Sequence, residues 1–469
     1  MVKIAWIVAA CSVPVHADDN LPRIIDAVAK GNSALYRVEP PKDADLFTNL
    51  PIGVFDSGIG GLTVLEAMLT IDHYNNVTHQ PKPDGRPDLE NERFIYLADQ
   101  ANMPYGNYCA AGNEPYLREL IVRDALFLLG QRYWSDPKAR EPRFDKPPIK
   151  AIVIACNTAT AYGIGDIRTL TERLGLPVPV IGVIEAGASG VVERLPTTAE
   201  PDAVAIYATV GTCSSGAYPR TIERMAGRAG RRVGTIVQHG SPGLAAAIEG
   251  TAGNVDDCIR ADLIALVESY RTAGGERPIS TVVLGCTHYP LEKARISKAF
   301  EQLREVRDPA GNAPFRNAIA ADLTLVDPSQ QTARQLYAEL LRSRRLKPAA
   351  DQAAALNEHR FFITVPRPVS TKALGDDGSF RPEYKVGRFA GSFDDEDFVV
   401  VPMAPERLST ATRDLLRDRL PRVWASWKAA QMPPPNVDYQ ALPRSLPDNP
   451  LDVPGSKTST TDFQFQTPR

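Results

Sequence analysis

Short, wholly apolar runs alternate with amphipathic stretches along most of the chain. Residues 51–55 (Pro-Ile-Gly-Val-Phe) make an apolar run of strand length, and residues 61–69 carry helical spacing behind it. Further strands are expected at 93–98, 151–155 and 178–184, with a helix over 117–131. Polar segments at 72–91 and 135–148 read as long loops. A second cycle begins near Ala203, with strands at 204–209, 233–238 and 281–285. Helices are expected at 218–228, at 255–272 and after Pro290. Strands that are apolar on both faces and alternate with helices indicate parallel sheet covered on each side. The expected fold class is α/β: two similar parallel-sheet halves, residues 51–186 and 187–366, dividing near 185–190.

The ends of the chain follow different rules. Residues 367–396 are charged and Gly-rich, which predicts a surface excursion. Residues 405–430 read as a helix broken or kinked at Pro421, with Leu408, Leu415, Leu416, Leu420, Val423 and Trp427 on one broad side. Together, residues 367–431 make a C-terminal extension. Beyond Met432 the Pro-rich tail, 432–469, has no apolar periodicity, and disorder is expected. At the start, Lys3, the apolar run 4–13 and Val15-His16-Ala17 fit a cleaved export signal, residues 1–17, before an N-terminal extension, 18–50. A buried strand over 3–10 and a lipoprotein signal ending at Cys11 are the other readings. A cut leader predicts a periplasmic or secreted protein, and an uncut one a cytoplasmic protein.

Composition narrows the classes. The 469 residues carry a net charge of −3, so nothing favours a nucleic-acid partner. No apolar run approaches the ~18 residues of a membrane span. Six cysteines in such a length are too few for a disulfide scaffold, and none forms a Cys-x-x-Cys pair.

Two of those cysteines sit in matching places. Cys156 ends the run Ala-Ile-Val-Ile-Ala and is followed by Asn157-Thr158-Ala159; Cys286 ends Thr-Val-Val-Leu-Gly and is followed by Thr287-His288-Tyr289-Pro290. One such cysteine alone fits a small buried hydrophobe. Two, each at a strand end where open α/β sheets bind ligands, point to active thiols. A helix N-terminus beside each would be expected to lower the thiol pKa. A third junction, Asp56-Ser57-Gly58-Ile59-Gly60-Gly61, offers glycines for close backbone approach and Ser57 with amide groups for a carboxylate. Cys109, Cys213 and Cys258 are expected to be packing residues, and His73, His79 and His239 surface or loop residues without partners.

These pieces, with Pro104-Tyr105-Gly106, Gly182-Val183-Ile184-Glu185 and Gly285-Cys286-Thr287-His288-Tyr289-Pro290-Leu291, resemble the glutamate racemase family of the aspartate/glutamate racemase superfamily. The resemblance runs in order from Ile52 to about Thr364. It implies cofactor-independent interconversion of L- and D-glutamate, with the active site between the two halves and the product used in peptidoglycan synthesis. It implies that Cys156 takes the α-proton from the D-isomer and Cys286 from the L-isomer. Asp56 would assist Cys156, and His288 would assist Cys286. Ser57, Tyr105, Gly106, Asn157, Thr158 and Thr287, with Asp56 and His288, would hold the substrate. Glu185 matches the family's strand-end glutamate, a supporting polar residue of the catalytic set. Neither pyridoxal phosphate nor a metal is implied, and a homodimer is one assembly to look for.

Ala186 departs from the Pro common there in the family, and the loops at 72–91 and 135–148 are expanded. The nearest rival is an aspartate racemase, whose relatives tend to carry Glu where His288 stands. A second is an exported binding protein on a retained racemase scaffold. An oxidising compartment would threaten two facing thiols, which sets the export reading against the chemistry.

Overall fold

The computed structural model describes residues 21–33, 35–38, 46–348, 356–367, 373–393 and 395–431. The expected cut after Ala17 and the expected disorder beyond Met432 lie outside the described residues.

Four strands form the heart of the first half: β1 (Ile52–Asp56), β2 (Phe94–Ala98), β3 (Ala151–Ile154) and β4 (Val180–Gly182). The first three are buried at every position, as expected of parallel strands covered on both faces. The second half has β5 (Ala203–Thr209), β6 (Ile236–Ser241), β7 (Ile279–Gly285) and β8 (Ile319–Val326). The orders correspond: β2-β1-β3-β4 in one sheet and β6-β5-β7-β8 in the other, all parallel. Each half therefore places its second strand outside its first and its third strand inside. In such sheets the crevice where the order reverses, at the C-terminal ends of the first and third strands, receives ligands. Cys156 and Cys286 both follow the third strand of their sheet.

The chain then returns to the first sheet, which the sequence pattern did not anticipate. β9 (Arg360–Pro366) pairs parallel to β2, and β10 (Phe398–Pro402) pairs antiparallel to β9, so the first sheet has six strands. The boundary expected at 366 thus assigns β9 to the wrong half. The division expected near 185–190 falls inside the Val183–Val192 helix. Val183 and Ile184, expected in a strand, open that helix, and β6 begins three residues later than its apolar run suggested.

The extension is part of the core. The helix expected over 405–430 is two helices, Thr410–Arg419 and Pro421–Ala430, parted at Leu420, where the backbone leaves helical geometry before Pro421. The Ser409 hydroxyl caps the first by accepting from the Thr412 amide at 3.0 Å. Leu408, Leu416, Leu420, Val423 and Trp427 are all buried in the cluster that packs on β1 and β2. Residues 373–393 are not the free surface excursion expected: Phe380 is buried and Arg388 pairs with Asp397 at 2.8 Å. Among the described residues, no helix is long and apolar enough to cross a membrane.

Candidate active site

The loop after β1 is built around one carboxylate. Asp56 Oδ2 accepts from the amides of Gly58 (3.1 Å) and Gly61 (3.0 Å), folding the chain back on itself before the Leu62–Thr70 helix. Tyr96 on β2 donates to the Gly58 carbonyl at 2.7 Å and fixes the turn from below. Burial raises the Asp56 pKa, and the charge of His288 and the two amide bonds only partly offset it. Its Oδ1 is buried with no hydrogen-bond partner among the described residues, an acceptor at the cavity wall for a donor such as an ammonium group. Gly60 shows why glycine is needed here: a Cβ would lie 2.3 Å from His288 Cε1, so any side chain would push the second half away.

Cys156 is the N-cap of the Asn157–Arg173 helix, its sulfur accepting from the Ala159 amide at 3.3 Å and lying 3.5 Å from Ser57 Oγ. The pKa lowering expected from the helix terminus does not prevail. Burial first, and the Asp56 carboxylate second, push the thiol well above its ordinary value. Cys156 rests as a neutral thiol, a proton donor before it is a base.

Cys286 has a different partner. His288 Nδ1 lies 3.8 Å from its sulfur, and His288 Nε2 lies 2.9 Å from Glu249 Oε1. Burial opposes charge on this imidazole, but the Cys286 sulfur and the Glu249 carboxylate outweigh it and raise its pKa well above the usual histidine range. The result is an ordered sulfur–imidazole–carboxylate series on the second-half side. Across the seam, Thr63 Oγ1 donates to the Thr287 carbonyl at 2.7 Å, Tyr218 donates to Asn157 Oδ1 at 2.7 Å, and the Thr158 and Thr212 hydroxyls meet at 3.3 Å. Each cysteine loop is thus held by a residue of the opposite half.

Both cysteines open on one cavity of about 530 Å³ between the sheet ends. Asp56, Ser57, Tyr105, Gly106, Asn157, Thr158, Thr287 and His288 line it as expected from the sequence. Tyr105 contributes wall rather than a hydroxyl, because its OH bridges Asp99 (2.6 Å) and Asp124 (2.7 Å). Burial and the adjacent Asp99 raise Asp124 well above the carboxylate range, so it holds a proton for this bridge. Gly106 meets Gly211 of the second half, where a Cβ on Gly211 would lie 3.0 Å from the Gly106 Cα.

Glu185 is the exception. It is not among the cavity-lining residues; it sits in the first turn of the Val183–Val192 helix and pairs with Arg168 at 3.3 Å. The strand expected to run to Ile184 ends at Gly182, so Glu185 sits in a helix rather than at a strand end.

Several lining residues carry no role read from the sequence, Thr209, Ser241 and Glu249 among them. Thr209 and Ser241 end β5 and β6, where the strand-end rule alone would have found them. Glu249 follows the short Leu244–Ile248 helix, and nothing in its local sequence marks it. Cys109, Cys213 and Cys258 pack against the hydrophobic clusters, as expected. His79 and His239 do have partners, the Tyr337 hydroxyl at 2.7 Å and the Asp262 carboxylate at 3.0 Å.

The Asp/Glu/Hydantoin racemase family model matches residues 137–311. A glutamate racemase of Limosilactobacillus fermentum is 31% identical over 268 residues, covering 56% of this chain and 77% of the relative. One from Levilactobacillus brevis is 30% identical over 316 residues, covering 67% of this chain and 86% of the relative. Among solved structures, a glutamate racemase isoform of Bacillus anthracis is similar at 25% identity and a TM-score of 0.45, covering 67% of this chain and 89% of that one.

Proposed function

The chain belongs to the glutamate racemase family, and from that premise we propose that it interconverts L- and D-glutamate by proton transfer between two thiols. The observation that carries this reading is the pair of buried cysteines, one from each half, on a single cavity, each with its own polar partner. The α-carbon of an amino acid holds its proton tightly, so a base must be held against it while an acid waits on the other face. With L-glutamate bound, Cys286 as thiolate takes the α-proton, and the thiol of Cys156 delivers its own proton to the opposite face. The reverse reaction exchanges the two roles. After either turnover the protonation states of the two sulfurs have swapped, and exchange with solvent resets them.

The partners fit these duties. The His288 imidazolium, steadied by Glu249, stabilises negative charge on Cys286. Asp56 lies beside Cys156, where its carboxyl is placed to assist that thiol's proton transfer. Ser57, Asn157, Thr158 and Thr287 supply hydroxyl and amide groups for the substrate's ammonium and carboxylate ends. The D-glutamate formed would feed peptidoglycan synthesis. An aspartate racemase and a non-catalytic binding protein are the readings the test must separate.

Chiral chromatography of purified protein incubated with L-glutamate, D-glutamate or L-aspartate, with no cofactor added, makes that separation. Equal amounts of both glutamate enantiomers are expected from either starting isomer, with aspartate essentially unchanged. Conversion of aspartate in preference would reassign the substrate. No conversion of either, or conversion only after pyridoxal phosphate is supplied, would reject the reading.

A further inference from the structure

We propose that the C-terminal segment 373–393 is a brace for the substrate cavity, and that Lys385 is a positioning residue for the loop forming one of its walls. This rests on the racemase reading for its activity arm. Residues 103–107 line the cavity. On the inner side the loop is held by Asp99, which accepts from the Asn102 amide at 2.7 Å and the Tyr105 hydroxyl at 2.6 Å. On the outer side it is held by the extension. Lys385 Nζ donates to the Met103 carbonyl, and Arg388 Nη2 donates to Asn102 Oδ1 and to the Tyr108 hydroxyl. Further along, Asn113 Nδ2 donates to the carbonyls of Val386 (2.9 Å) and Arg388 (2.6 Å). Residues 102–113 are therefore gripped at both ends by four successive residues, Lys385 to Arg388, at the end of the short Pro382–Gly387 helix.

The brace is itself anchored. Phe380 is buried, Arg388 pairs with Asp397 immediately before β10, and Tyr384 donates to the same carboxylate at 3.2 Å. The Arg388 guanidinium also lies 4.9 Å from the Tyr116 ring centre and 5.0 Å from that of Phe380. These contacts run from the cavity wall to β10, the edge strand the extension adds to the first sheet. A charged donor on a backbone carbonyl restrains the loop without touching the reacting atoms. Its loss should loosen substrate binding and leave proton transfer on the thiols nearly intact.

The test uses the full chain with Lys385→Met, which keeps the aliphatic stem and removes the donor, and Lys385→Arg, which restores one. For Lys385→Met, KM for glutamate should rise roughly three- to tenfold, with kcat within about twofold, as expected for one lost hydrogen bond. Backbone hydrogen exchange should quicken over residues 100–112 without substrate, and Lys385→Arg should recover most of both effects. An unchanged KM with unchanged exchange would overturn the proposal. So would a fall in kcat at constant KM together with a lower melting temperature, the signature of a purely structural role. If the parent protein does not racemise glutamate, the proposed function fails by itself, and the exchange measurement still decides whether the brace exists.

Discussion

Cys156→Ser and Cys286→Ser should each lower racemisation in both directions by roughly 10²–10⁴-fold, the usual contribution of a general acid or base. Both directions suffer because each thiol is the base for one enantiomer and the acid for the other. A serine hydroxyl fills nearly the same space, so the fold should be spared, but it ionises far less readily than a thiol. What survives should differ between the two variants. Cys286→Ser keeps Cys156, and should still remove the α-proton from D-glutamate analogues carrying a good β-leaving group, detected as elimination. Cys156→Ser should retain the same partial reaction on the L-series, through Cys286 and its His288–Glu249 support. Full racemase activity in either variant would overturn the two-thiol assignment, and reversed enantiomer preferences would exchange the two roles.

Trp427→Ala should destabilise the protein by about 3–5 kcal/mol, the range for truncating a large buried aromatic side chain. The indole is 2% exposed, and its Nε1 donates to the Met403 carbonyl at 2.7 Å, just past β10. Removing it leaves a cavity beside β9 and takes the shorter of two hydrogen bonds from the Met403 carbonyl, which keeps only the Gln431 side-chain amide at 3.3 Å. The Pro421–Ala430 helix is also fixed at its start, where Glu66 accepts from the Arg422 and Val423 amides at 3.1 and 2.8 Å. Urea denaturation monitored by circular dichroism would measure the loss. A change below about 1 kcal/mol would mean that the extension packs on the first half without supporting it.

Much of the site was legible because its chemistry is local. A wholly apolar strand ending in cysteine and followed by small polar residues places that cysteine at a ligand-binding sheet end whatever the rest of the chain does. The same holds for Asp56 and the glycines after it. Residues whose role depends on distant contacts were not legible. Glu249 joins the site only because the Leu244–Ile248 helix brings it to His288, 39 positions later in the sequence. Tyr105 looked like a substrate ligand until Asp99 and Asp124 claimed its hydroxyl. Helix proximity suggested a lowered Cys156 thiol, whereas burial beside Asp56 raises it. In the fold, periodicity found the alternating elements and the break at Pro421. It could not show that β9 rejoins the first sheet, because strand pairing across the chain leaves no period in the sequence. The charged character of 367–396 likewise concealed Arg388, which pairs with Asp397 and donates to Asn102.

If two different sulfurs handle the departing and arriving protons, racemisation in heavy water will tell them apart. With L-glutamate as the starting isomer and conversion held to its early stage, mass spectrometry and proton NMR would follow the α-position of each enantiomer separately. D-glutamate should carry deuterium from the solvent-exchanged thiol of Cys156, while the remaining L-glutamate keeps its original proton. D-glutamate that retains the substrate's own α-proton would mean that a single base carries it from one face to the other, and would overturn the two-thiol mechanism.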